Sequence, residues 1–328
     1  MNDPLLKVEN LVKHFPVRGG LLRRVTGRLR AVDGVSFELD AGRTLGLVGE
    51  SGCGKSTLAR ALLRLLEPTS GKVFLEGADL TTLNAGELKR RRKDMQIIFQ
   101  DPHASLSPRR TVLEILREPL DTHRIGAPAT RRRRVAELLE TVGMAPEILH
   151  RYPHEFSGGQ RQRIGIARSL AVEPKLIVAD EAVSALDVSV QSQVLNLIAD
   201  LQARFNTAFI FISHDLAVVQ HISHDVAVMY LGKLVEVASV DRIYQQPKHP
   251  YTEALLAAVP VPDPKRRRGR LILTGDLPSP VDPPSGCPFH TRCPRAMEIC
   301  RSMVPRTLNV GSRRDPHIVN CHLHDPEV

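Results

Sequence analysis

The stretch Thr44-Leu45-Gly46-Leu47-Val48-Gly49-Glu50-Ser51-Gly52-Cys53-Gly54-Lys55-Ser56-Thr57 decides the fold. Thr44 to Val48 is a compact apolar run of the kind that forms a buried strand. Residues 49–56 then fit the pattern G-x-x-x-x-G-K-[ST], and helical sequence begins near Lys55. A strand before the glycines and a helix after them turn a common pattern into a phosphate-binding loop. Gly49, Gly52 and Gly54 let backbone N–H groups turn inward onto phosphate oxygens, and the helix N-terminus adds its positive end. Lys55 can reach the terminal phosphates, the Ser56 hydroxyl can ligate Mg²⁺, and Thr57 extends the set of donors. Ser51 and Cys53 belong to the same loop, although the Cys53 thiol occupies a variable position and is read as a bystander.

Working outward, Leu176-Ile177-Val178-Ala179 and Phe209-Ile210-Phe211-Ile212 are apolar throughout, with an amphipathic helical pattern from Val190 to Phe205 between them. Strands apolar on both faces that alternate with helices predict an α/β fold with a parallel sheet covered on both sides. Asp180 and Glu181 follow the first of these strands. An Asp-Glu pair alone is common; behind a buried strand and downstream of a phosphate loop it is informative. Asp180 can hold Mg²⁺ through water, and Glu181 can orient or deprotonate an attacking water. His214 ends the next strand, where a polar residue can face the same site. Towards the N-terminus, Leu6 to Glu9 and Val35 to Leu39 alternate as strands, and the Gly/Arg-rich stretch Arg18 to Arg30 between them reads as an exposed loop. Val73 to Leu75 is a further strand bounded by Gly71 and Gly77. From about 104 to 152 the pattern is helical and polar, an inserted helical subdomain. Pro260, Pro262 and Pro264 open a linker near 259, and a small irregular extension follows it.

Composition narrows the function classes. The chain has 328 residues, enough for one large domain plus an extension. The formal charge is +9, which fits nucleic acid, an anionic surface or a nucleotide. The two basic clusters, Arg131 to Arg134 and Lys265 to Arg268, stand beside no nucleic-acid motif and read as solvated faces. Aromatics are sparse and Trp is absent, which disfavours stacking on single strands, so no nucleic-acid partner is expected. No apolar run approaches a membrane span and no signal-peptide core opens the chain, so a cytosolic protein is expected, meeting a membrane only through partners. In that compartment the five cysteines are poor disulfide candidates.

Phe156-Ser157-Gly158-Gly159-Gln160-Arg161-Gln162-Arg163 closely resembles the signature motif of ABC ATPases, with Phe in place of the usual Leu. The other motifs match in order. Gln100, after Gln96-Ile97-Ile98-Phe99, resembles the Q-loop glutamine that touches Mg²⁺; Ser184-Ala185-Leu186-Asp187 resembles the D-loop; His214 resembles the switch histidine; Phe15 resembles the aromatic that stacks on adenine, where Tyr is commoner. The resemblance covers about residues 5 to 255. It implies a P-loop ABC ATPase with a mixed-sheet core, an N-terminal antiparallel β subdomain and the inserted helical subdomain. It also implies that Ser157, Gly158, Gly159 and Gln160 of one subunit, with Asp187, meet ATP held by the loop of another. The chain divides on this reading into residues 1–258 and an extension of 259–328.

Asp101-Pro102-His103-Ala104-Ser105-Leu106-Ser107-Pro108-Arg109, Ala182 to Ser189, and above all Cys287-Pro288-Phe289-His290-Thr291-Arg292-Cys293-Pro294 resemble the ATPases of oligopeptide and dipeptide importers. That group includes importers of nickel, glutathione and some sugars, and a soluble, non-transport ABC ATPase or a non-hydrolysing regulatory subunit are the competing readings. Membership implies a second, distinct ATPase subunit, two transmembrane permeases and an extracytoplasmic peptide-binding protein, with this chain peripheral on the cytoplasmic face. Cys287, Cys293, Cys300 and Cys321 lie in an extension with few apolar residues, so a staple is needed and four thiolates can supply it. The resemblance points to a [4Fe–4S] cluster. Zn²⁺ is the alternative, with His290, His317 and His322 as spare ligands, against which stands the lack of a close C-x₂₋₄-C pair.

Overall fold

The computed structural model describes residues 3–19, 24–101, 105–258, 275–313 and 315–328. Pro102 to Ala104 of the importer-like segment, the prolines at 260–264 and the basic run 265–268 lie outside them, as does the boundary expected near 259. The chain forms two compact units, one of residues 1–38, 45–81 and 213–328, the other of 39–44 and 82–212.

The first unit opens with an antiparallel sheet. Strands β1 (Leu6–Gly19) and β2 (Arg24–Leu39) lie side by side, and β1 pairs on its other edge with β4 (Ser70–Leu75), followed by β5 (Ala78–Asp79). This corrects the exposed loop expected from Arg18 to Arg30: strand continues to Gly19 and resumes at Arg24. The stretch is exposed, as its composition requires, but two neighbouring strands satisfy each other's backbone groups, so no buried face and no apolar alternation are needed. Strand β3 (Thr44–Val48) is buried throughout and leads through the glycine loop into α1 (Lys55–Leu62).

The second unit carries α2 (Ala85–Arg91), β6 (Met95–Ile98), α3 (Val112–Thr122), α4 (Arg131–Thr141), α5 (Gly158–Leu170), β7 (Leu176–Asp180), α6 (Val188–Phe205) and β8 (Ala208–Ile212). Strands β6, β7 and β8 run parallel in that order, and β7 and β8 are buried at every position. Thr111–Glu114 and Ser157–Gln160 each form a reciprocal capping box at the start of α3 and α5.

The chain returns to the first unit with α7 (Leu216–Ile222), β9 (Asp225–Tyr230), β10 (Lys233–Ser239), α8 (Val240–Gln245), α9 (Pro250–Ala257), α10 (Ile299–Ser302), β11 (Leu308–Asn309) and β12 (His317–Val319). Strand β9 lies parallel to β3, and β9, β10, β12 and β11 continue antiparallel, so the sheet is mixed. The extension is built into this sheet. His317 on β12 meets Glu236 on β10 across 2.6 Å with both side chains essentially sealed from solvent, and Glu236 also accepts the N–H groups of Lys248 and His249. Phe289 inserts its ring beside Tyr230 and Tyr251, with centroids 5.2 and 5.4 Å away. All three rings are buried.

Candidate functional site

In the first unit the phosphate loop is shaped by glycines that nothing larger can replace. Gly49 has φ 152° and a Cβ there would lie 2.2 Å from the Met229 carbonyl oxygen; Gly54 has φ 112° and its Cβ would lie 2.0 Å from that of Ala31. Gly54 caps α1 without a side-chain hydrogen bond, and no acidic residue stands in the first turn. The positive end of the helix therefore carries no side-chain cap and no acidic neighbour of its own, which suits an anion. Lys55 is buried and donates from Nζ to the carbonyls of Gly49 (2.8 Å) and Glu50 (3.0 Å). Cys53 is buried, and burial raises its thiol pKa. Ser51 and Gly52 are exposed, while Ser56 and Thr57 are half-buried at the head of α1. Phe15 is half-buried on β1 with the Lys13 ammonium 4.9 Å from its ring centroid.

Two neighbours of this loop were not singled out from sequence. The Tyr251 hydroxyl accepts the Glu50 N–H at 2.9 Å, and Arg292 donates two hydrogen bonds to the Glu50 carboxylate at 2.8 and 3.0 Å. Both stand more than 200 positions from Glu50. Arg292 lay within the quoted Cys287–Pro294 segment, but no local pattern marks it as a partner of the loop.

In the second unit β7 delivers Asp180, buried, at its C-terminal end. Glu181 follows with φ 48°, a left-handed conformation that a non-glycine residue adopts at a cost of order 1–3 kcal/mol. The turn is held by the Glu181 N–H on the Ile212 carbonyl (3.0 Å) and by the Ser184 hydroxyl on the Glu181 carbonyl (3.0 Å). The structure brings two of the expected catalytic residues together: Gln100 Nε2 donates to Glu181 Oε2 at 2.8 Å. Such a contact places the amide where it can orient the carboxylate.

Ser157 and Gln160 are exposed at the start of α5 and engaged with each other: the Ser157 Oγ accepts the Gln160 N–H at 3.4 Å, and the Gln160 Oε1 accepts the Ser157 N–H at 3.0 Å. Gly158 follows at the first position of the helix; Gly159 is buried, and a Cβ there would lie 2.3 Å from Val190 Cγ1 on α6. Asp187 is exposed at the N-cap of α6. His214, in the first unit, is exposed just beyond β8.

The four cysteines of the extension are free thiols, with Cys287, Cys300 and Cys321 buried and Cys293 half-buried. Burial, with a smaller contribution from the neighbouring thiols, pushes Cys287 up to about 12 and Cys321 up to about 11, and raises Cys293. The four are thus near enough to feel one another. As placed, however, they do not make a ligand set: among the described residues no three His, Cys, Asp or Glu side chains stand in a group that could hold a metal ion. The cluster or zinc expected from sequence therefore finds its donor chemistry here without its geometry.

Among the described residues no helix is long and apolar enough to cross a membrane. The family described as ABC transporter matches residues 32–184, and the oligopeptide/dipeptide transporter C-terminal region matches residues 235–300. The oligopeptide transport ATP-binding protein AppF of Bacillus subtilis is 51% identical over 98% of this chain and 98% of its own length. The "Probable peptide ABC transporter ATP-binding protein y4tS" of Sinorhizobium fredii is 55% identical over 99% of this chain and 92% of its own length. Among solved structures, a dimeric ATP-binding cassette in a post-hydrolysis state with ADP and Pi has a TM-score of 0.64 at 27% identity, covering 72% of this chain and 98% of that one. On this likeness, and on the motifs that carry it, the chain belongs to the ABC transporter ATP-binding proteins, in the oligopeptide/dipeptide group.

Proposed function

We propose that this chain is the ATP-hydrolysing subunit of an ABC importer of oligopeptides or dipeptides. The observation that carries the ATP reading is the glycine loop at Gly49–Ser56, closed to any side chain at Gly49 and Gly54 and opening onto an uncapped helix N-terminus. The peptide cargo rests on the relatives' names and the C-terminal region. Lys55 and the loop N–H groups hold the phosphates, Phe15 packs on the base, and Ser56, Gln100 and Asp180 are the ligands for Mg²⁺. When bound, the ion neutralises charge that develops between the β- and γ-phosphates. Glu181 orients the attacking water, Gln100 holds that carboxylate, and His214 faces the γ-phosphate. Ser157 to Gln160 and Asp187 act on nucleotide held by a second, distinct ATPase subunit. The helical subdomain of about residues 104 to 150 receives the coupling helix of a permease, one of two in the transporter, with the chain at the cytoplasmic face of the membrane; an extracytoplasmic binding protein supplies the peptide.

The test is Glu181→Gln in the assembled transporter. ATP affinity should stay within a few-fold of wild type while turnover falls at least ~100-fold, as loss of a positioned base entails. Turnover near wild type would remove Glu181 from its role.

The [4Fe–4S] reading of Cys287, Cys293, Cys300 and Cys321 belongs to the same proposal and is supported by four free cysteines, three of them buried, in an extension short of apolar residues. Its test is anaerobic purification followed by absorption spectroscopy and iron and zinc analysis. Colourless protein carrying zinc and no iron would replace the cluster with a zinc site, and protein with neither metal would leave four structural thiols.

A further inference from the structure

The C-terminal extension reaches into the phosphate loop. Arg292 Nη1 and Nη2 donate to the two carboxylate oxygens of Glu50 at 2.8 and 3.0 Å, a fork-to-fork pair in which the guanidinium is only 7% exposed. Glu50 is the second residue of the loop, and its backbone is engaged as well. Its N–H is turned onto the Tyr251 hydroxyl and its carbonyl accepts Lys55 Nζ. Arg292 is held in turn. Its N–H donates to the Phe289 carbonyl at 3.0 Å, the Phe289 ring is locked against Tyr230 and Tyr251, and the guanidinium carbon stands 6.0 Å from the Tyr230 ring centroid. A turn anchored by a buried ring thus aims a rigid fork at one loop residue.

The electrostatic consequence follows from where Glu50 stands. A carboxylate within a loop that binds a polyanion repels its ligand, and the repulsion is weakly screened where the charge is partly buried. A bidentate guanidinium both cancels that charge and fixes the side chain to one side.

We propose that Arg292 is a positioning residue for nucleotide binding: it holds Glu50 so that the second residue of the phosphate loop is fixed and its carboxylate does not oppose the phosphates. The extension is thereby part of the nucleotide site rather than a passive appendage. This rests on the reading of Gly49–Ser56 as the ATP loop.

The experiment is a titration of the full-length chain with a fluorescent ATP analogue and Mg²⁺, comparing wild type, Arg292→Ala, Glu50→Gln and the double variant. Arg292→Ala should weaken binding about ten-fold, the size of one uncompensated carboxylate near the phosphates. Adding Glu50→Gln should restore affinity to within about three-fold of wild type, because the charge that needed cancelling is gone. A staple that merely holds the extension in place would lower the unfolding midpoint of Arg292→Ala and would not be rescued by Glu50→Gln. Affinity within two-fold of wild type in Arg292→Ala, or a double variant as weak as the single, overturns the proposal. If Arg292→Ala does not fold, Arg292→Gln, neutral and of similar reach, carries the same comparison. Lys55→Ala separates the two levels of inference. Loss of binding there with unchanged Arg292→Ala removes the role of Arg292 alone, whereas full binding by Lys55→Ala removes the loop assignment and this proposal with it.

Discussion

Two helix N-termini carry the phosphate chemistry expected of this chain, and they are finished in opposite ways. At α1 the cap is Gly54, in a left-handed conformation, with no side chain accepting from the first turn. At α5 the cap is Ser157, closed with Gln160 in a reciprocal box. The first terminus presents its positive end without a side-chain cap and brings its own cation in Lys55. The second satisfies itself, and its Ser157 and Gln160 must exchange their mutual hydrogen bonds for any outside phosphate. On the proposed reading the first terminus binds within its own chain and the second meets a ligand held by another subunit, and the open and closed caps fit that division. A third terminus, α9, shows another solution. His249 caps it through Nδ1, which accepts the Tyr251 N–H at 3.1 Å, and this needs a neutral imidazole.

The comparison can be broken most forcibly at α1. Gly54→Ala places a Cβ against the Ala31 carbonyl and demands φ 112° of an L-residue. Binding of a fluorescent ATP analogue should fall by at least ~100-fold, while the far-ultraviolet dichroism of the chain stays that of a folded protein. Near-normal affinity would mean that the loop relaxes and that its glycines are not the reason it binds.

The next effect is at α9 and depends on pH. Burial lowers the pKa of His249 to about 4, from an ordinary value of 6.5; Glu236 opposes the shift, and His324 and Arg295 add to it. The folded state therefore binds fewer protons than the unfolded chain between those values, so stability is retained above about pH 6.5 and lost as pH falls towards 4. The loss should be on the order of 3 kcal/mol over that window. Denaturant titrations of wild type and His249→Asn test it, since an amide oxygen can still cap the helix but cannot titrate. The variant should show the shallower dependence, and parallel curves would assign the acid sensitivity elsewhere.

The smallest effect sharpens the contrast. Ser157→Ala should cost about 1 kcal/mol of stability through the lost cap. It should leave nucleotide affinity of the separate chain unchanged while lowering hydrolysis in the assembled transporter. Weakened ATP binding by the separate chain would mean that α5 serves its own subunit's nucleotide, and the distinction between the two termini would fall.

What could be read from sequence follows the range over which each feature is encoded. The loop, the Asp180–Glu181 step and the Ser157–Gln160 box are each written in a few consecutive residues, so strand, glycine and polar side chain declare themselves together. Gln100 is legible by resemblance and Glu181 from its place behind a buried strand, yet their 2.8 Å contact spans 81 positions and needs the parallel register of β6 on β7. Arg18 to Arg30 misled because strand propensity is read from buried faces, and a ribbon wet on both sides has none. Glu50, Tyr251 and Arg292 were invisible as a group, because each is unremarkable in its own neighbourhood and only the fold brings residues 50, 251 and 292 to one point.

The three buried rings of Tyr230, Tyr251 and Phe289 bear on how such a protein can be shortened. A recombinant version stopped before Cys287 would look, on the sequence, like a clean removal of an appendage. It would instead take one ring from a closed packing of three and open a void under the strand end and helix that support the nucleotide loop. Phe289→Ala alone should cost about 3–5 kcal/mol on that account. Cutting at the boundary expected near residue 259 should therefore lower the stability of what remains, because Phe289 closes the packing around Tyr230 and Tyr251.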